Sequence, residues 1–423
     1  MWRQPWGYKE GWAICIGLFI TGAVLQLRAG KVDPTLFRYP LNAITGGLFL
    51  FFLIMVYIAS RKAAALQWFY SLTASITSLT AWMVLVIIMG LTRQVAPSVT
   101  VTHGGLLSGL GFMQMTLSWP FMLLFLYFLS VLGLVTIRKV AHFRKKDIPF
   151  ILNHAGLFIT LLAAILGNGD LQRMRMTVPL EQPEWRATNE IGEMKELPLA
   201  IELKSFTIDE YPPKLLAIDN TTGNALPENN PENMLVEETP LSGSLLDWEV
   251  EVIRSLPMAA CVHGKDTVNF VEFHSEGATS AVFVRVRNKK DGVEKSGWVS
   301  CGSFMFPYVS LQLNDEISLV MPGREPKRFA SEVSVYTQDK KQADALIEVN
   351  KPFSIAGWKI YQLSYDETKG KWSTVSVFEL VRDPWLPVVY AGILMLLLGS
   401  VCLFIQAPGN KEEEAAANDT KTE

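Results

Sequence analysis

Residues 150–166 read FILNHAGLFITLLAAIL, a run that is apolar apart from Asn153, His154 and Thr160. A basic group, Arg144–Lys146, stands just before this run, and the chain becomes polar after it over a long stretch. A run of this length and composition can cross most of a bilayer as a helix. The pattern predicts the last membrane helix before a large exported domain, with one imidazole inside the membrane.

His154 is the first candidate functional residue. Charged side chains in hydrocarbon cost roughly 2 to 4 kcal/mol on insertion scales, so an ionisable group at this depth is a functional hypothesis. Neutral histidine costs less, and a histidine hydrogen-bonded to a neighbouring helix as packing glue is an equal alternative at this point. His142 falls in a basic loop and is interpreted as solvated, and His103 falls in a glycine-rich outer loop.

The composition predicts a protein with a membrane part and a water-facing part. The 423 residues are 49% hydrophobic and 19% charged, with a mean hydropathy of +0.22. By these values the chain is too apolar for an ordinary soluble enzyme and too polar for a pure membrane bundle. A net charge of -3 argues against a nucleic-acid partner.

Six apolar segments are candidates for membrane helices. The first could pass for a signal peptide, but the further spans favour a retained anchor. The spans are predicted at residues 11–27, 41–60, 70–91, 117–137, 150–166 and 385–405. The predicted domains are membrane helices in 1–166, an exported β-rich domain in 167–383, a last membrane helix in 384–405 and a disordered cytoplasmic tail in 406–423.

The basic residues predict the orientation in the membrane. Arg61–Lys62 and the group at 138–146 flank predicted spans, and such groups favour the cytoplasmic side. Both termini are then cytoplasmic and the large domain is outside. Arg28, Lys31 and Arg38 fall on the outer side and disagree with this orientation, but the denser group at 138–146 outweighs them.

The exported domain is predicted to be all-β. Apolar and polar residues alternate in LPLAIELKSFTI (197–208) and SAVFVRVR (280–287), as expected for half-buried strands. The runs at 358–365 and 372–381 are joined by DETKGK, which indicates a hairpin. The fold class is therefore an α-helical bundle of about six spans, with an antiparallel sandwich-like β domain between the fifth and sixth. The domain has no GxSxG, HExxH or phosphate-binding glycine loop, which argues against a hydrolase.

Cysteines and histidines of the β domain suggest two further sites. Cys261 and Cys301 could form a disulfide in an oxidising compartment if they fall on neighbouring strands. His263 and His274 lie near Cys261, but their spacing matches no known zinc-ligand pattern. A metal site there is the weaker interpretation.

The C-terminal part of the chain resembles a known family. The stretches EVNKPFSIAGWKIYQLSYD (348–366) and VRDPWLPVVYAGILMLLLG (381–399) resemble the ResB/CcsB family of cytochrome c biogenesis proteins, system II. The matching motif positions are Asn350, Pro352, Gly357, Tyr361, Gln362, Arg382, Asp383, Pro384 and Gly392. SEVSVY (331–336) and the sequence around His154 are also similar, whereas Trp385 stands where the family has glycine.

The resemblance implies a function that composition alone does not reveal. It implies a standalone CcsB-type subunit of a bacterial inner-membrane cytochrome c synthase (haem lyase), not catalytic by itself, with its large domain in the periplasm. The implied partners are a tryptophan-rich CcsA-type membrane protein and apocytochromes c with CxxCH motifs. The implied cargo is haem, with His154 as a candidate axial ligand of the iron.

Two alternatives stay open beside the resemblance. One is a membrane-anchored scaffold or ligand-binding protein with no haem role. The other is a cytochrome b-type electron-transfer subunit, which would need histidines on facing helices to hold haem permanently.

Overall fold

The computed structural model describes residues 4, 6–33, 37–96, 99, 105–264 and 267–406. His103 and the predicted tail from residue 407 onward lie outside these ranges. The chain divides into two compact units. The helical unit comprises residues 1–172 and 382–423, and the β unit comprises residues 173–381.

The helical unit contains six long apolar helices among its described residues. Each is long and apolar enough to cross a membrane, which confirms the prediction of about six apolar helices and identifies a multi-pass membrane protein. The helices are α1 Tyr8–Ala29, α2 Leu41–Ser60, α3 Ala64–Gln67, α4 Leu72–Leu91, α5 Gly105–Gly109, α6 Trp119–Ala141, α7 Ile148–Gly167 and α8 Leu386–Gln406, of which α3 and α5 are short.

α6 lies at the centre of the helical unit. Within its most apolar window 67% of the residues are buried, compared with 28% or less in every other long helix. Its buried face is aromatic: Phe128 stacks on Trp82 of α4 with ring centroids 5.2 Å apart, and Phe121 and Phe125 also contact Trp82. The outer helices keep exposed apolar side chains, such as Leu48 and Phe51 of α2, as lipid-facing helices do.

α7 and α8 pack backbone against backbone. A Cβ atom added to Gly156 would lie 2.7 Å from the carbonyl oxygen of Gly392, and one added to Gly392 would lie 2.8 Å from that of Gly156. A Cβ on Gly399 would meet Asn153 at 2.8 Å, and Ser400 Oγ donates to Asn153 Oδ1 at 3.1 Å. Small residues allow this approach, and the resulting van der Waals packing helps to hold membrane helices together.

Asp170 joins three elements at one end of the helical unit. Its carboxylate accepts from the Tyr39 N–H at 2.8 Å, Asn42 Nδ2 at 2.7 Å and the Trp385 indole Nε1 at 2.8 Å. Partial burial disfavours the charged form, but these donors outweigh it and hold the pKa of Asp170 below its ordinary value. Asn42 also donates to the carbonyl of Leu166 at 2.9 Å, so this network fixes the ends of α2, α7 and α8 together.

The β unit contains seventeen strands among its described residues. They are β1 Gln172–Pro179, β2 Glu184–Asn189, β3 Met194–Glu210, β4 Lys214–Asp219, β5 Asn233–Leu235, β6 Leu241–Leu245, β7 Trp248–His263, β8 Val268–Glu272, β9 Thr279–Asn288, β10 Glu294–Ser300, β11 Leu311–Gln312, β12 Ile317–Val320, β13 Pro326–Thr337, β14 Gln342–Glu348, β15 Phe353–Ile355, β16 Trp358–Tyr365 and β17 Val375–Arg382. The strand ladders described are antiparallel, which confirms the predicted large antiparallel β domain.

Three sheets build the β unit. The largest has the strand order β14-β13-β3-β2-β1-β17-β16-β15 and curls around a core that includes Met176, Ile201 and Phe378. A five-stranded sheet (β10-β9-β7-β6, with β8 on β7) and a four-stranded sheet (β11-β12-β4-β5) share a second core that includes Leu215 and Trp248. The unit therefore combines a nearly closed sheet with a sandwich.

We expect Gly392→Ala to destabilise the protein by about 1 to 3 kcal/mol, because its methyl group would overlap the backbone of α7. The matched control is Gly47→Ala in α2, where a Cβ meets nothing within 4 Å. Alanine favours helix, so the control should be neutral or slightly stabilising. The measurement is the unfolding midpoint of each full-length variant in detergent. Equal midpoints for Gly392→Ala and Gly47→Ala would contradict the backbone contact between α7 and α8.

We expect Asp170→Asn to lower the unfolding midpoint at neutral pH, because one of its acceptor oxygens becomes an NH₂ group facing donors. The folded pKa of Asp170 is depressed, so its stabilising effect is fully present above the unfolded value, about 3.9, and is lost as the pH falls through the lower folded value. The difference in unfolding midpoint between wild type and variant should therefore become smaller below about pH 4. Asp315→Asn, in an exposed turn, is the control. A difference in unfolding midpoint that stays constant across pH would contradict stabilisation by the ionised Asp170 carboxylate.

Candidate functional site

His154 lies half-buried in α7 with its ring held by its own helix. Nδ1 is 3.0 Å from the carbonyl oxygen of Phe150. A carbonyl oxygen can only accept, so Nδ1 carries the proton and donates it. In the neutral ring Nε2 then keeps its lone pair, and it has no hydrogen-bond partner among the described residues. Metal-binding histidines are commonly oriented in this way, with one nitrogen donating and the other free for the metal.

The surroundings of this imidazole are aromatic and basic. The Phe150 and His154 rings are stacked, with centroids 3.7 Å apart, and Lys139 Nζ lies 5.2 Å from the Phe150 centroid. Asp147 accepts from Lys139 Nζ and Arg144 Nε, each at 3.0 Å, and does not cap α7 with its side chain. The site therefore offers a nitrogen ligand with cationic side chains at the same end of the helix.

His154 and its sequence neighbours lie on different faces of α7. Asn153 and Gly156 contact α8. His154 lies one helical turn from Phe158, which is buried and stacks on Phe49 of α2 with centroids 6.4 Å apart. The hydrogen bond of His154 is made within α7. In the part of the chain that the structure describes, His154 makes no hydrogen bond to a neighbouring helix, so the packing interpretation has no such bond to support it.

A second histidine of this chain at the same depth is not present in the six long helices described. His142 is the residue that follows α6, where its Nδ1 lies 3.1 Å from the carbonyl of Arg138. A metal centre with two axial histidines would need its second ligand from another chain or from a residue outside the described ranges.

Three of the family-motif positions shape turns of the β unit. Asn350, between β14 and β15, has φ 63°, a left-handed conformation that asparagine tolerates well. Pro352 directly precedes β15. Gly357 (φ 80°) and Ala356 (φ 49°) form the two-residue turn between β15 and β16, and such turns favour glycine. These residues therefore act through backbone geometry.

The next two motif positions lie in β16. Gln362 is 5% exposed and donates from Nε2 to the Ser364 carbonyl at 3.0 Å. The pairing of β16 with β17 shifts register between Gln362 and Ser364, so the glutamine supports a β-bulge. Tyr361 is half-buried and pairs with Glu379. Neither residue belongs to a cluster of metal-binding side chains in the described chain.

The last motif positions start α8. Asp383 Oδ1 accepts from the backbone N–H groups of Trp385 at 3.0 Å and Leu386 at 3.1 Å, which caps the helix, and Pro384 stands between. Trp385, the departure from the family pattern, is the residue that bonds to Asp170. Sequence reasoning missed Asp170, whose only signal is a lone carboxylate shortly after an apolar run.

Cys261 and Cys301, the possible disulfide of the sequence analysis, are free thiols in this structure. Cys261 lies in β7 and Cys301 follows β10, and β9 runs between those two strands. Strands lie about 4.8 Å apart, so a residue two strands away exceeds the roughly 7 Å limit for bridging Cα atoms. Partial burial raises the pKa of the Cys261 thiol, which disfavours its thiolate form.

The two histidines of the β unit do not form a metal site with Cys261. Cys261 Sγ lies 3.8 Å from His263 Nδ1, while His274 Nε2 lies 3.9 Å from Glu272. No group of three or more metal-binding side chains occurs within the described ranges.

We expect Cys261 and Cys301 to be alkylated in the unfolded protein without prior reduction, because neither is bonded to the other. The measurement is the mass of tryptic peptides after labelling in denaturant, with and without dithiothreitol. Cys301→Ser should leave the unfolding midpoint almost unchanged. Labelling of this pair that depends on dithiothreitol would contradict the structure.

The comparisons with known proteins agree with the resemblance. No curated protein matches the chain. Residues 275–377 match the sequence model of the ResB-like family. The matched segment includes 331–336 and the motif from Asn350 to Gln362, but neither His154 nor Asp383. The match confirms the resemblance: this chain carries a ResB-like segment within its β unit and is consistent with a ResB/CcsB family protein.

Proposed function

We propose that this protein is an accessory subunit of a cytochrome c maturation complex, which passes haem across the bacterial inner membrane for attachment to exported apocytochromes c. The ResB-like segment supports a role in cytochrome c biogenesis. The observation that carries the haem role is His154, the one histidine in the long helices that the structure describes. Its Nδ1 donates to its own helix, and its Nε2 has no hydrogen-bond partner among the described residues.

The residues at this site suit haem as cargo. Iron takes a neutral imidazole nitrogen as an axial ligand, and the free Nε2 of His154 provides one. The stacked ring of Phe150 limits rotation of the imidazole. Lys139 and Arg144 share the single carboxylate of Asp147, which leaves a net positive charge at this end of α7 for the haem carboxylates. Iron ligation would also offset the free energy of placing this polar ring in hydrocarbon.

The proposed orientation gives the site a direction. The basic residues near the start of α7 favour the cytoplasmic side, so His154 would receive haem there. The β unit would then face the periplasm, where apocytochromes with CxxCH motifs are found. A CcsA-type partner would supply the second axial ligand and the attachment chemistry, because this chain has one histidine in its described long helices.

We expect His154→Ala to remove most of the Soret absorbance from the complex of this chain with a CcsA-type partner, because an axial ligand is lost. Added imidazole should restore the absorbance by filling the position of the missing ring. His142→Ala is the matched control and should keep the wild-type spectrum.

The same experiment separates the alternatives. An unchanged Soret band in His154→Ala, with the complex intact, would overturn the haem role and favour a scaffold. A stoichiometric low-spin haem on the isolated wild-type chain would instead favour a cytochrome b-type subunit.

A further inference from the structure

Two cavities in the β unit meet at the same residues. One has a volume of about 310 Å³ and the other about 430 Å³. Both are lined by Cys301 and Gly323, so together they form one elongated groove, which we call the junction groove. Most of its lining falls within the ResB-like segment.

The first cavity is positively charged. Lys369 and Lys371 line it, and neither has an ion-pair partner in the chain as described, although Glu367 also lines the cavity. Lys369 lies 6.0 Å from the ring of Phe304. Arg324 is neutralised by Glu210 at 3.1 Å. This half of the groove therefore favours a ligand with a carboxylate.

The second cavity is mainly apolar. Its lining includes Leu216, Ile218, Val320 and Met321. Tyr308 lines this cavity and is 67% exposed, so its ring is accessible to a ligand. This half of the groove therefore favours an apolar side chain.

The two halves meet at backbone groups that are available for binding. Among the described residues, the N–H and C=O groups of Cys301 and Gly323 make no hydrogen bond outside regular strands. An extended peptide recognises such groups through its own backbone. A Cβ added to Gly323 would meet nothing within 4 Å, so the junction is open space.

The groove lies at the end of the β unit opposite its chain termini. The Leu180 N–H, just after β1, donates to the Thr374 carbonyl, just before β17, at 2.8 Å. From there the eight residues of β17 run roughly 25 Å to the exit at Arg382. The loop 367–372, which lines the groove, therefore lies far from the points where the chain enters and leaves the unit.

We propose that the junction groove binds an extended, unfolded segment of an exported polypeptide. An acidic side chain of that segment would lie beside Lys369 and Lys371, an apolar side chain would enter the second cavity, and its backbone would bond near Cys301 and Gly323. This inference rests on the proposed function, in which the exported polypeptide is an apocytochrome c, and it names the surface that receives it.

The first test uses the full-length protein in lipid nanodiscs, without haem. The probe is a fluorescent peptide of the form D-D-x-S-x-x-S-H-L, a CxxCH segment with serine for cysteine, which prevents disulfide exchange. Binding is measured by fluorescence anisotropy. Gly323→Trp should fill the junction and abolish binding, whereas Gly323→Ala adds a methyl group to open space and should bind as wild type does.

The second test probes the charge. Lys369→Ala with Lys371→Ala should weaken binding at least tenfold, and lysine in place of the two aspartates of the peptide should have a similar effect. The control is Lys340→Ala with Lys341→Ala, a lysine pair in the β13–β14 turn, outside the groove. It should keep wild-type affinity.

The third test locates the peptide. Bound peptide should slow maleimide labelling of Cys301 and leave Cys261 unaffected. Binding that survives Gly323→Trp, or that leaves Cys301 unprotected, would overturn the groove proposal, as would no binding by the wild type. These readouts need no haem, so they can fail while the His154 spectrum succeeds, or the reverse.

Discussion

The close contact between α7 and α8 is the constraint on which the rest of the structure depends. These helices are separated in sequence by the entire β unit, yet their backbones touch at Gly156 and Gly392. The entropy of closing a loop rises slowly with its length, so a large insertion between two such helices is tolerated. Each unit brings its two chain ends together by itself: α7 packs on α8, and β1 is next to β17 in the large sheet.

Local patterns in the sequence predicted the elements but not their partners. The six apolar helices follow from hydropathy, and the antiparallel β domain follows from alternation and turn residues. The pairing of α7 with α8 could not be predicted, since Gly392 is no different in sequence from Gly47, which contacts nothing. Strand order is a long-range property too, so the sequence could not show whether Cys261 and Cys301 fall on neighbouring strands; β9 lies between their strands.

The most recognisable residues of the chain turn out to shape its backbone. Asn350 and Gly357 adopt positive φ angles, Gln362 supports a bulge and Asp383 caps α8. A resemblance carried by such residues is first of all information about fold, because they make turns and caps that any chain with this topology needs. The haem proposal rests on His154, which lies outside the segment that matches the family, and so it depends on the geometry at that histidine.

That geometry holds the imidazole by contacts within its own helix. Asn153 and Gly156 lie on the face of α7 that packs on α8, so α8 does not orient the imidazole of His154. The imidazole is oriented by Phe150, one turn earlier in the same helix, which provides both the carbonyl acceptor and the stacked ring. A ligand oriented within its own helix keeps its orientation whether or not a partner helix is docked. Under the proposed function, another molecule would fill the second coordination position of the iron, which suits a carrier that must release its cargo.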